Sequence, residues 1–235
     1  HHTYKFSRRA AAEGLVVIDD PDSILKCTNK VFLAELLERH RIAIPKTLVV
    51  HRGNQTQVLE SIGLPCILKQ PDSSFSQGVV KVNTGEQFKD ELGKLLQKSD
   101  LVIAQEFMPT DFDWRIGIFD RKLLYACKYF MVKKHWQILK RNETGKPVEG
   151  DAETFPVEDV PLAVFQTALK AANLIGNGFY GVDLKQVGKK IYVIEINDNP
   201  SIDAGVEDRI LKDDLYRDIM QTIMERVELK KGKKV

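Results

Sequence analysis

Two apolar stretches separated by a short polar break constrain this sequence more than any other feature. They occupy Gly181–Ser201, GVDLKQVGKKIYVIEINDNPS, where apolar and polar residues alternate on both sides of Gly188–Lys190. Alternation of this kind around a glycine-containing break predicts two antiparallel strands joined by a tight turn. With Gly188–Lys190 as the loop, Asp183 lies opposite Glu195.

The same register assigns the side chains of this hairpin to two faces. It pairs Val187 with Ile191, and residues directly opposite each other, or two apart on one strand, point to the same side of a sheet. Asp183, Glu195 and Asn197 are therefore expected to share one face. The opposite face is apolar and is expected to pack into a core: Val182, Leu184, Ile194 and Ile196.

Two carboxylates that face each other on neighbouring strands repel unless a cation lies between them. Carboxylate and amide oxygens suit Mg²⁺, which proteins commonly hold jointly with nucleotide phosphates. Asp183, Glu195 and Asn197 could form such a site. The hairpin alone is equally compatible with an ordinary solvated strand face.

Length and composition limit the class of protein. The 235 residues suffice for one large domain or two small ones, and the balance of apolar and charged residues is typical of a globular protein. The net charge of +2 does not indicate a nucleic-acid partner. Neither a membrane-spanning stretch nor a secretory signal pattern is apparent, so we expect no membrane partner.

Cysteine usage indicates a reducing compartment. Cys27, Cys66 and Cys127 are odd in number and widely spaced, and two of them lie in apolar runs. Such cysteines are typical of buried reduced thiols in a cytoplasmic protein, not of a disulfide framework or a zinc site.

The start of the chain predicts a fragment of an α/β unit. Arg8–Gly14 has the pattern of a helix end stopped by glycine, and Leu15–Ile18 that of a short buried strand. Because the sequence begins abruptly within this unit, we expect a further segment upstream of it.

A lysine closes the apolar strand predicted at Leu64–Lys69. A charged group at that position is costly unless its ammonium contacts water or an anion. The polar loop Gln70–Gln77 follows and leads into the strand Val79–Val82, so loop N–H groups and hydroxyls could complete an anion site. The hydroxyls in question are those of Ser73, Ser74 and Ser76. A plain hairpin with a solvated lysine is the alternative.

Asp113 and Arg115 lie two residues apart and are expected to share a face of the next sheet. They follow the predicted buried strand Leu101–Phe107, in a hairpin formed by Trp114–Phe119 and Leu123–Val132. The forked guanidinium of an arginine can bind two oxygens of an anion at once. The alternative is a surface ion pair between the two residues that contributes little.

Basic residues are concentrated between Arg121 and Lys146. They form either a solvated rim or a field that attracts an anionic substrate. The polar segment Thr144–Thr154 is predicted to be a poorly ordered loop. The basic residues are Lys128, Lys133, Lys134, Lys140, Arg141 and Lys146.

Helical periodicity predicts five further helices, the first capped by Thr28 or Asn29. They run from that cap to about His40, and over Thr56–Ile62, Gly85–Lys98, Val160–Ile175 and Ile210–Val227.

GVDLK followed by VIEINDNPS resembles the metal-binding hairpin of ATP-grasp ligases, most of all the RimK-like ligases that add L-glutamate to peptide or protein carboxyl ends. The resemblance extends from about Thr28 to the last helix. It implies an α+β ATP-grasp fold, in which two α/β subdomains with mixed or antiparallel sheets clasp ATP after a fragment of a pre-grasp α/β domain. The implied division is 1–44 for that fragment and its connecting helix, 45–106 for the lid subdomain, and 107–235 for the C-terminal subdomain with the hairpin.

The resemblance also implies roles for individual residues. Lys30 and Lys69 would bind phosphate oxygens, and Asp113 the ribose hydroxyls. The backbone after the linking strand would bind the adenine edge. The complete set of expected nucleotide contacts is Lys30, Lys69, Gln105, Glu106, Phe107, Met108, Asp113 and Gln137.

Catalysis and metal binding are assigned in the same way. Arg115 and Lys69 are the expected catalytic residues. One or two Mg²⁺ or Mn²⁺ ions would be held by Asp183, Glu195 and Asn197. The sequence departs from the family at two places, because the lid loop has fewer glycines and the Arg-Ser-Asn expected near His135 and Gln137 is missing.

The implied function is an ATP-dependent carboxylate–amine ligase that forms an amide bond through an acylphosphate. Its partners would be a carboxylate-bearing peptide or small molecule, acidic if the basic segment steers it, and an amino acid, and the chain could form a homo-oligomer. The alternatives are a small-molecule kinase of the same fold and a nucleotide-binding module without catalysis.

Overall fold

The computed structural model describes residues 2–72, 78–141 and 146–232, with Arg141 described by its backbone alone. The loop serines Ser73, Ser74 and Ser76 lie outside these ranges, so their contacts with phosphate stay a prediction. Within the described ranges, no helix combines the length and the apolar character needed to cross a membrane.

Three helices open the chain: α1 (His2–Ala12), α2 (Pro21–Thr28) and α3 (Lys30–Arg39). Asp20 caps α2 by accepting hydrogen bonds from two backbone N–H groups of its first turn. Asn29 caps α3 by accepting from the N–H of Phe32 at 3.0 Å, which confirms the predicted start of this helix.

The segment after α1 departs from its prediction. Gly14 has a φ of 81° and ends the helix as expected, since the left-handed region favours glycine. Leu15–Ile18 does not form the predicted strand, and Leu15 is 60% exposed. No described strand pairs with this segment, so its apolar residues lack the ladder that a strand requires.

The next elements build a four-stranded antiparallel sheet, here the first sheet, in the order β1-β4-β2-β3. Val58 of α4 and Phe88 and Leu92 of α5 pack on one face of it together with Cys66 and Leu68 of β2. Because side chains alternate along a strand, Lys69 points to the opposite face. The elements are β1 (Thr47–Val50), α4 (Gln55–Ser61), β2 (Cys66–Lys69), β3 (Val79–Val82), α5 (Gly85–Leu96) and β4 (Val102–Glu106).

The remainder of the chain forms a five-stranded antiparallel sheet, here the second sheet, in the order β11-β10-β5-β6-β9. The strands β7 and β8 pair with each other in a separate two-stranded sheet. The elements are β5 (Phe112–Phe119), β6 (Lys122–Phe130), β7 (Leu139–Arg141), β8 (Pro147–Glu149), β9 (Ala152–Phe155), α6 (Leu162–Ile175), β10 (Phe179–Val187), β11 (Lys190–Asn197) and α7 (Asp213–Gly232).

Helices pack on both faces of the second sheet. They cover one face and only part of the other. Val164, Ala168 and Ala172 of α6 pack on one face, where Leu33 and Leu37 of α3 join the same core. Part of the other face is covered by α7 and the segment before it, with Leu215 fully buried. The uncovered remainder of that face carries the hairpin carboxylates.

The polar segment Thr144–Thr154 is not the predicted loop in its described part. It forms β8 and most of β9, and β9 pairs with β6 through Thr154 opposite Cys127. Composition predicts solvation for such a segment, whereas the unpaired edge of β6 supplies a ladder that orders it.

The hairpin of β10 and β11 differs from its prediction at the turn. Val187 pairs with Lys190, so the turn consists of Gly188 and Lys189 alone. Gly188 has a φ of 61°, as two-residue hairpin turns require. The predicted pairing of Val187 with Ile191 is therefore wrong by one residue.

A bulge in β11 restores the predicted register beyond the turn. Leu184 pairs with Val193 and Asp183 pairs with Glu195, so Ile194 is the extra residue. Ile194 does not join the core as predicted but lines a cleft, and Val193, 1% exposed, takes the core position. The predicted pairing of Asp183 with Glu195 is confirmed.

Candidate active site

A cleft of about 500 Å³ is lined by residues of both large sheets. Its lining includes every residue to which the resemblance assigned a catalytic, nucleotide-binding or metal-binding role. These are Lys30, Lys69, Gln105, Glu106, Phe107, Met108, Asp113, Arg115, Gln137, Asp183, Glu195 and Asn197. The structure thus brings together groups that are up to 167 positions apart in the sequence, from Lys30 to Asn197 (197 − 30).

Asp183 forms a two-point ion pair with Arg115 of the neighbouring strand. The Nε and Nη2 atoms of Arg115 donate to the two carboxylate oxygens at 2.7 and 2.9 Å. Burial lowers the pKa of the Arg115 guanidinium, but the charge and hydrogen bonds of Asp183, with smaller contributions from Tyr129 and Tyr125, outweigh burial, so this pKa lies above its ordinary value. Asn197 also donates to Asp183, from Nδ2 to Oδ2 at 3.2 Å.

Glu195 is paired with a lysine from outside the second sheet. The Lys30 ammonium lies 3.0 Å from Glu195 Oε1, and the Lys30 side chain is 10% exposed. Lys30 occupies the first turn of α3, where the helix dipole disfavours a cation. The carboxylate of Glu195 offsets this unfavourable position.

Lys69 contributes the cation from the first sheet. Its ammonium donates to Oε1 of Gln105 at 2.8 Å, and Gln105 Nε2 donates to Thr47 Oγ1 at 3.0 Å. Burial lowers the pKa of Lys69 to about 8, although the negative charge of Glu195 acts in the opposite direction. A bound anion would reverse part of this shift.

The alternative of a surface ion pair between Asp113 and Arg115 is wrong, because these two residues do not pair. Asp113 pairs with Lys185 of β10, whose Nζ lies 2.6 Å from Asp113 Oδ1. The same ammonium donates to Oγ1 of Thr110 at 2.6 Å. Burial raises the pKa of the Asp113 carboxyl, and the Lys185 ammonium opposes this shift.

One end of the cleft is apolar and lies beside the strand that links the two sheets. Phe107 and Met108 follow β4 directly, and the Phe107 ring packs edge-on against Trp136 at 6.2 Å between centroids. The N–H of Glu106 already donates to the carbonyl oxygen of Lys46 at 2.9 Å. The backbone of Phe107 and Met108 is therefore the more available part of the predicted adenine contact.

Sequence reasoning missed several residues of the cleft. Lys185 could have been found, because it lies two positions after Asp183 and must share its face. Trp136 and Asp203 had no recognisable pattern, since they lie in segments without regular periodicity, and Asp198 lies in the quoted VIEINDNPS but had no predicted role. Gln137 lines the cleft as predicted, whereas the alternative, His135, is not among its lining residues and is hydrogen-bonded to Gln137.

The basic segment makes little contact with the cleft. The described lysines Lys133, Lys134 and Lys140 are exposed and do not line it. Lys128 lies 4.5 to 4.8 Å from the centroids of three aromatic rings, one of them Trp114. Trp114 belongs to the core on the helix-covered face, so Lys128 also lies on that side of the second sheet.

The hairpin residues fit the donor chemistry of a magnesium site. Asp183 and Glu195 face each other across the strands, and Asn197 lies within hydrogen-bond distance of Asp183. The described residues contain no group of three or more His, Cys, Asp or Glu placed to hold a metal. The set is therefore two carboxylates and one amide oxygen, whose charge Lys30 and Arg115 balance in this structure.

Comparison with known proteins identifies the family. The sequence profile of the ATP-grasp domain matches residues 27–202, which is most of the chain. The chain belongs to the ATP-grasp family. The predicted α+β ATP-grasp fold and the resemblance to RimK-like ligases are confirmed.

Three similar proteins illustrate the ATP-grasp relationship. The alpha-aminoadipate–LysW ligase LysX of Saccharolobus solfataricus is 25% identical over 80% of this chain and 67% of its own length. The tetrahydromethanopterin:alpha-L-glutamate ligase of Methanocaldococcus jannaschii is 28% identical over 79% of this chain and 62% of its own. A solved RimK-domain ATP-grasp protein of Sphaerobacter thermophilus aligns with a TM-score of 0.64 and 16% identity, over 83% of this chain and 68% of that one.

These relatives indicate a class of function for the part of their length that this chain covers. The chain spans about two thirds of the length of the curated relatives that it matches. The two named above are ligases, and proteins of the ATP-grasp family use ATP and Mg²⁺. The site geometry fits this chemistry, because its cations and carboxylates line one cleft.

Proposed function

We propose that this protein is an ATP-dependent carboxylate–amine ligase of the RimK-like kind, forming an amide bond through an acylphosphate. One observation carries the proposal. Three cations, Lys30, Lys69 and Arg115, meet the carboxylates of Asp183 and Glu195 in a single cleft. A site of this charge pattern suits a polyphosphate chain neutralised by protein cations and metal ions.

The nucleotide would lie along the cleft, with its adenine at the apolar end and its phosphates at the charged end. The apolar end, with Ile67, Val79 and Phe107, would hold the adenine, and backbone groups of Phe107 and Met108 would bind its edge. The glutamine Gln137 would complete the contacts.

The phosphates would lie at the charged end of the cleft. The ammonium groups of Lys30 and Lys69 would bind phosphate oxygens, because each ammonium is a compact donor of positive charge. Lys69 comes from the first sheet, whereas Glu195, the partner of Lys30, belongs to the second. Phosphates between the two lysines would therefore contact the first sheet and α3, which the Lys30–Glu195 ion pair joins to the second sheet.

Asp183, Glu195 and Asn197 would hold one or two Mg²⁺ or Mn²⁺ ions. When bound, such an ion neutralises charge on the β- and γ-phosphates. With these carboxylates holding an ion, the charges of Lys30 and Arg115 would be available to phosphate oxygens.

The chemistry requires positioning more than side-chain reactivity. A carboxylate oxygen of the acid substrate attacks the γ-phosphorus, and the bond from that phosphorus to the oxygen of ADP breaks. Negative charge then increases on the departing oxygen and on the transferred group. The Arg115 fork and the Lys69 ammonium are the donors that would stabilise it.

The second step consumes the acylphosphate. The amine nitrogen attacks the acyl carbon, the carbon–oxygen bond to phosphate breaks, and phosphate leaves with the electron pair. The proton lost by nitrogen passes to water or phosphate. The balance is one acid, one amine and one ATP converted to one amide, ADP and phosphate.

The substrate classes follow from this reaction. The acid would be a carboxylate-bearing peptide or small molecule and the amine an amino acid, as the names of the two relatives indicate for those proteins. The three buried free cysteines support the proposal of a cytoplasmic location.

The decisive experiment measures ADP release from Mg-ATP with a panel of carboxylates and amino acids, including L-glutamate and acidic peptides, and analyses the products by mass. A product mass equal to acid plus amine minus water would establish ligation. A stable phosphoester formed without an amine would show a kinase instead. Tight Mg-ATP binding without turnover over the whole panel would support a binding module.

A further inference from the structure

Lys185 is a fourth cation of the cleft, and neither the resemblance nor the family assigns it a role. It lies on β10 two residues after Asp183, and its side chain is 14% exposed. A largely buried ammonium is costly unless it is paired and hydrogen-bonded. Its contacts therefore indicate what it does.

The Lys185 ammonium contacts two residues of the chain that follows β4, Thr110 and Asp113. Nζ lies 2.6 Å from Asp113 Oδ1 and 2.6 Å from Thr110 Oγ1. Thr110 in turn donates to Asp113 Oδ1 at 3.3 Å. Lys185 and Thr110 thus fix one oxygen of the Asp113 carboxylate from two directions.

The second carboxylate oxygen of Asp113, Oδ2, faces the cleft. The hydrogen bonds that the Asp113 carboxylate accepts from the described residues end on Oδ1. Oδ2 is not a buried atom without a hydrogen bond, so it must be accessible to solvent, and Asp113 lines the cleft. Oδ2 therefore contacts the open space of the cleft as an acceptor for a ligand donor.

Asp113 lies between the two ends of the proposed nucleotide site. It lines the same cleft as Phe107 and Met108, which would contact the base, and Lys69, which would bind phosphate, and its charge acts on the pKa of Lys69. The group between the base and the phosphates of a nucleotide is the sugar, which carries two hydroxyl donors. A carboxylate oxygen that is held ionised accepts strong hydrogen bonds from hydroxyls.

We propose that Lys185 is a positioning residue that determines recognition of the nucleotide ribose, by fixing the Asp113 carboxylate through Oδ1 with Oδ2 directed at the ribose hydroxyls. The assignment rests on the proposed function, because it requires a nucleotide in this cleft. Lys185 itself does not contact the nucleotide.

The test compares the affinity of the full chain for ATP and for 2′,3′-dideoxy-ATP, each with Mg²⁺ and without acid or amine substrate, by calorimetry. Wild type should bind ATP about tenfold more tightly, since hydrogen bonds to a carboxylate are lost in the analogue. In Lys185→Met the preference should fall to about onefold through weaker binding of ATP alone. Lys185→Arg should keep the preference, and Lys189→Met, at the exposed turn of the same hairpin, is the matched control.

Several outcomes would overturn the assignment, and they are distinguishable. Wild type that binds no Mg-ATP would refute the proposed function and this inference with it. Wild type that binds ATP without preferring it over the dideoxy analogue would refute the ribose contact alone. Equal weakening of both ligands by Lys185→Met would show that Lys185 contacts the phosphates directly.

A second variant covers the case in which Lys185→Met does not fold because it leaves Asp113 without a counter-ion. The double substitution Lys185→Met/Asp113→Asn buries no unpaired charge. It should match Asp113→Asn in both affinities, because a residue that acts only through Asp113 adds nothing once that carboxylate is absent. Further loss of ATP affinity in the double variant would overturn the proposal.

Discussion

Arg115 binds both carboxylate oxygens of Asp183 across two neighbouring strands, at 2.7 and 2.9 Å. The two residues are direct partners in the pairing of β10 with β5. The fork of the guanidinium therefore matches the carboxylate without distortion of either strand. Under the proposed function, the same planar fork would bind a transferring phosphoryl group when Asp183 holds a metal ion.

Arg115→Lys tests this exchange of partners. The charge is kept and the fork is lost, so binding of Mg-ATP should change less than about fivefold while turnover falls about a hundredfold, as for other transition-state donors. Steady-state ADP release and calorimetric Kd give the two numbers. If the turnover were unchanged, Arg115 would serve the stability of the sheet and not the reaction.

Glu195→Gln tests the carboxylate pair of the hairpin. The substitution preserves shape but removes the charge that holds Lys30 at 3.0 Å and that would bind a metal ion. ADP formation should fall at least about a hundredfold. Binding of Mn²⁺ in the presence of ADP, measured by electron paramagnetic resonance, should weaken in parallel.

Glu153→Gln is the matched control for Glu195→Gln. Glu153 is exposed on β9 of the same sheet and does not line the cleft. This variant should retain both ADP formation and Mn²⁺ binding. ADP formation largely intact in Glu195→Gln would favour a domain that binds nucleotide without catalysis.

The hairpin shows how far local sequence patterns determine the site. Alternation correctly placed Asp183 opposite Glu195, although the turn was assigned one residue too long. The bulge at Ile194 compensated for that error, and no local pattern reveals a bulge in advance. The prediction was right about the carboxylates and wrong about Ile194, which the bulge moves from the core to the cleft.

Other parts of the site depend on partners that are distant in the sequence. Lys30 pairs with Glu195 and Asp113 pairs with Lys185, and neither pairing follows from spacing along the chain. The failed strand at Leu15–Ile18 has the same physical origin, because a short apolar run becomes a strand only where a neighbouring strand offers hydrogen bonds.

The lowered pKa of Lys69 predicts that nucleotide binding depends on pH. This pKa is lowered to about 8, so Lys69 loses its proton as the pH rises through 8, while phosphate binds the protonated form. Mg-ATP affinity should therefore fall roughly tenfold between pH 7 and pH 9, with proton uptake on binding near pH 8. Calorimetry in two buffers of different ionisation enthalpy measures both quantities.

Lys69→Arg is the control for this pH profile, since arginine stays protonated throughout the range. Its affinity for Mg-ATP should vary little between pH 7 and pH 9. Equal pH slopes for wild type and Lys69→Arg would assign the titration to another group.

Tyr129→Phe tests how the chain holds the loop beyond β11 against the cleft. The Tyr129 hydroxyl donates to Glu207, whose side chain is 1% exposed and also accepts from the N–H of Asp203 at 2.8 Å. Without the hydroxyl, a buried carboxylate loses a hydrogen bond, so the free energy of unfolding in urea should fall by about 1–3 kcal/mol. Tyr192→Phe, where the hydroxyl has no recorded hydrogen bond to described residues, should change it by less than about 0.5 kcal/mol. Equal stability of Tyr129→Phe and wild type would mean that Asp203 and water suffice for Glu207.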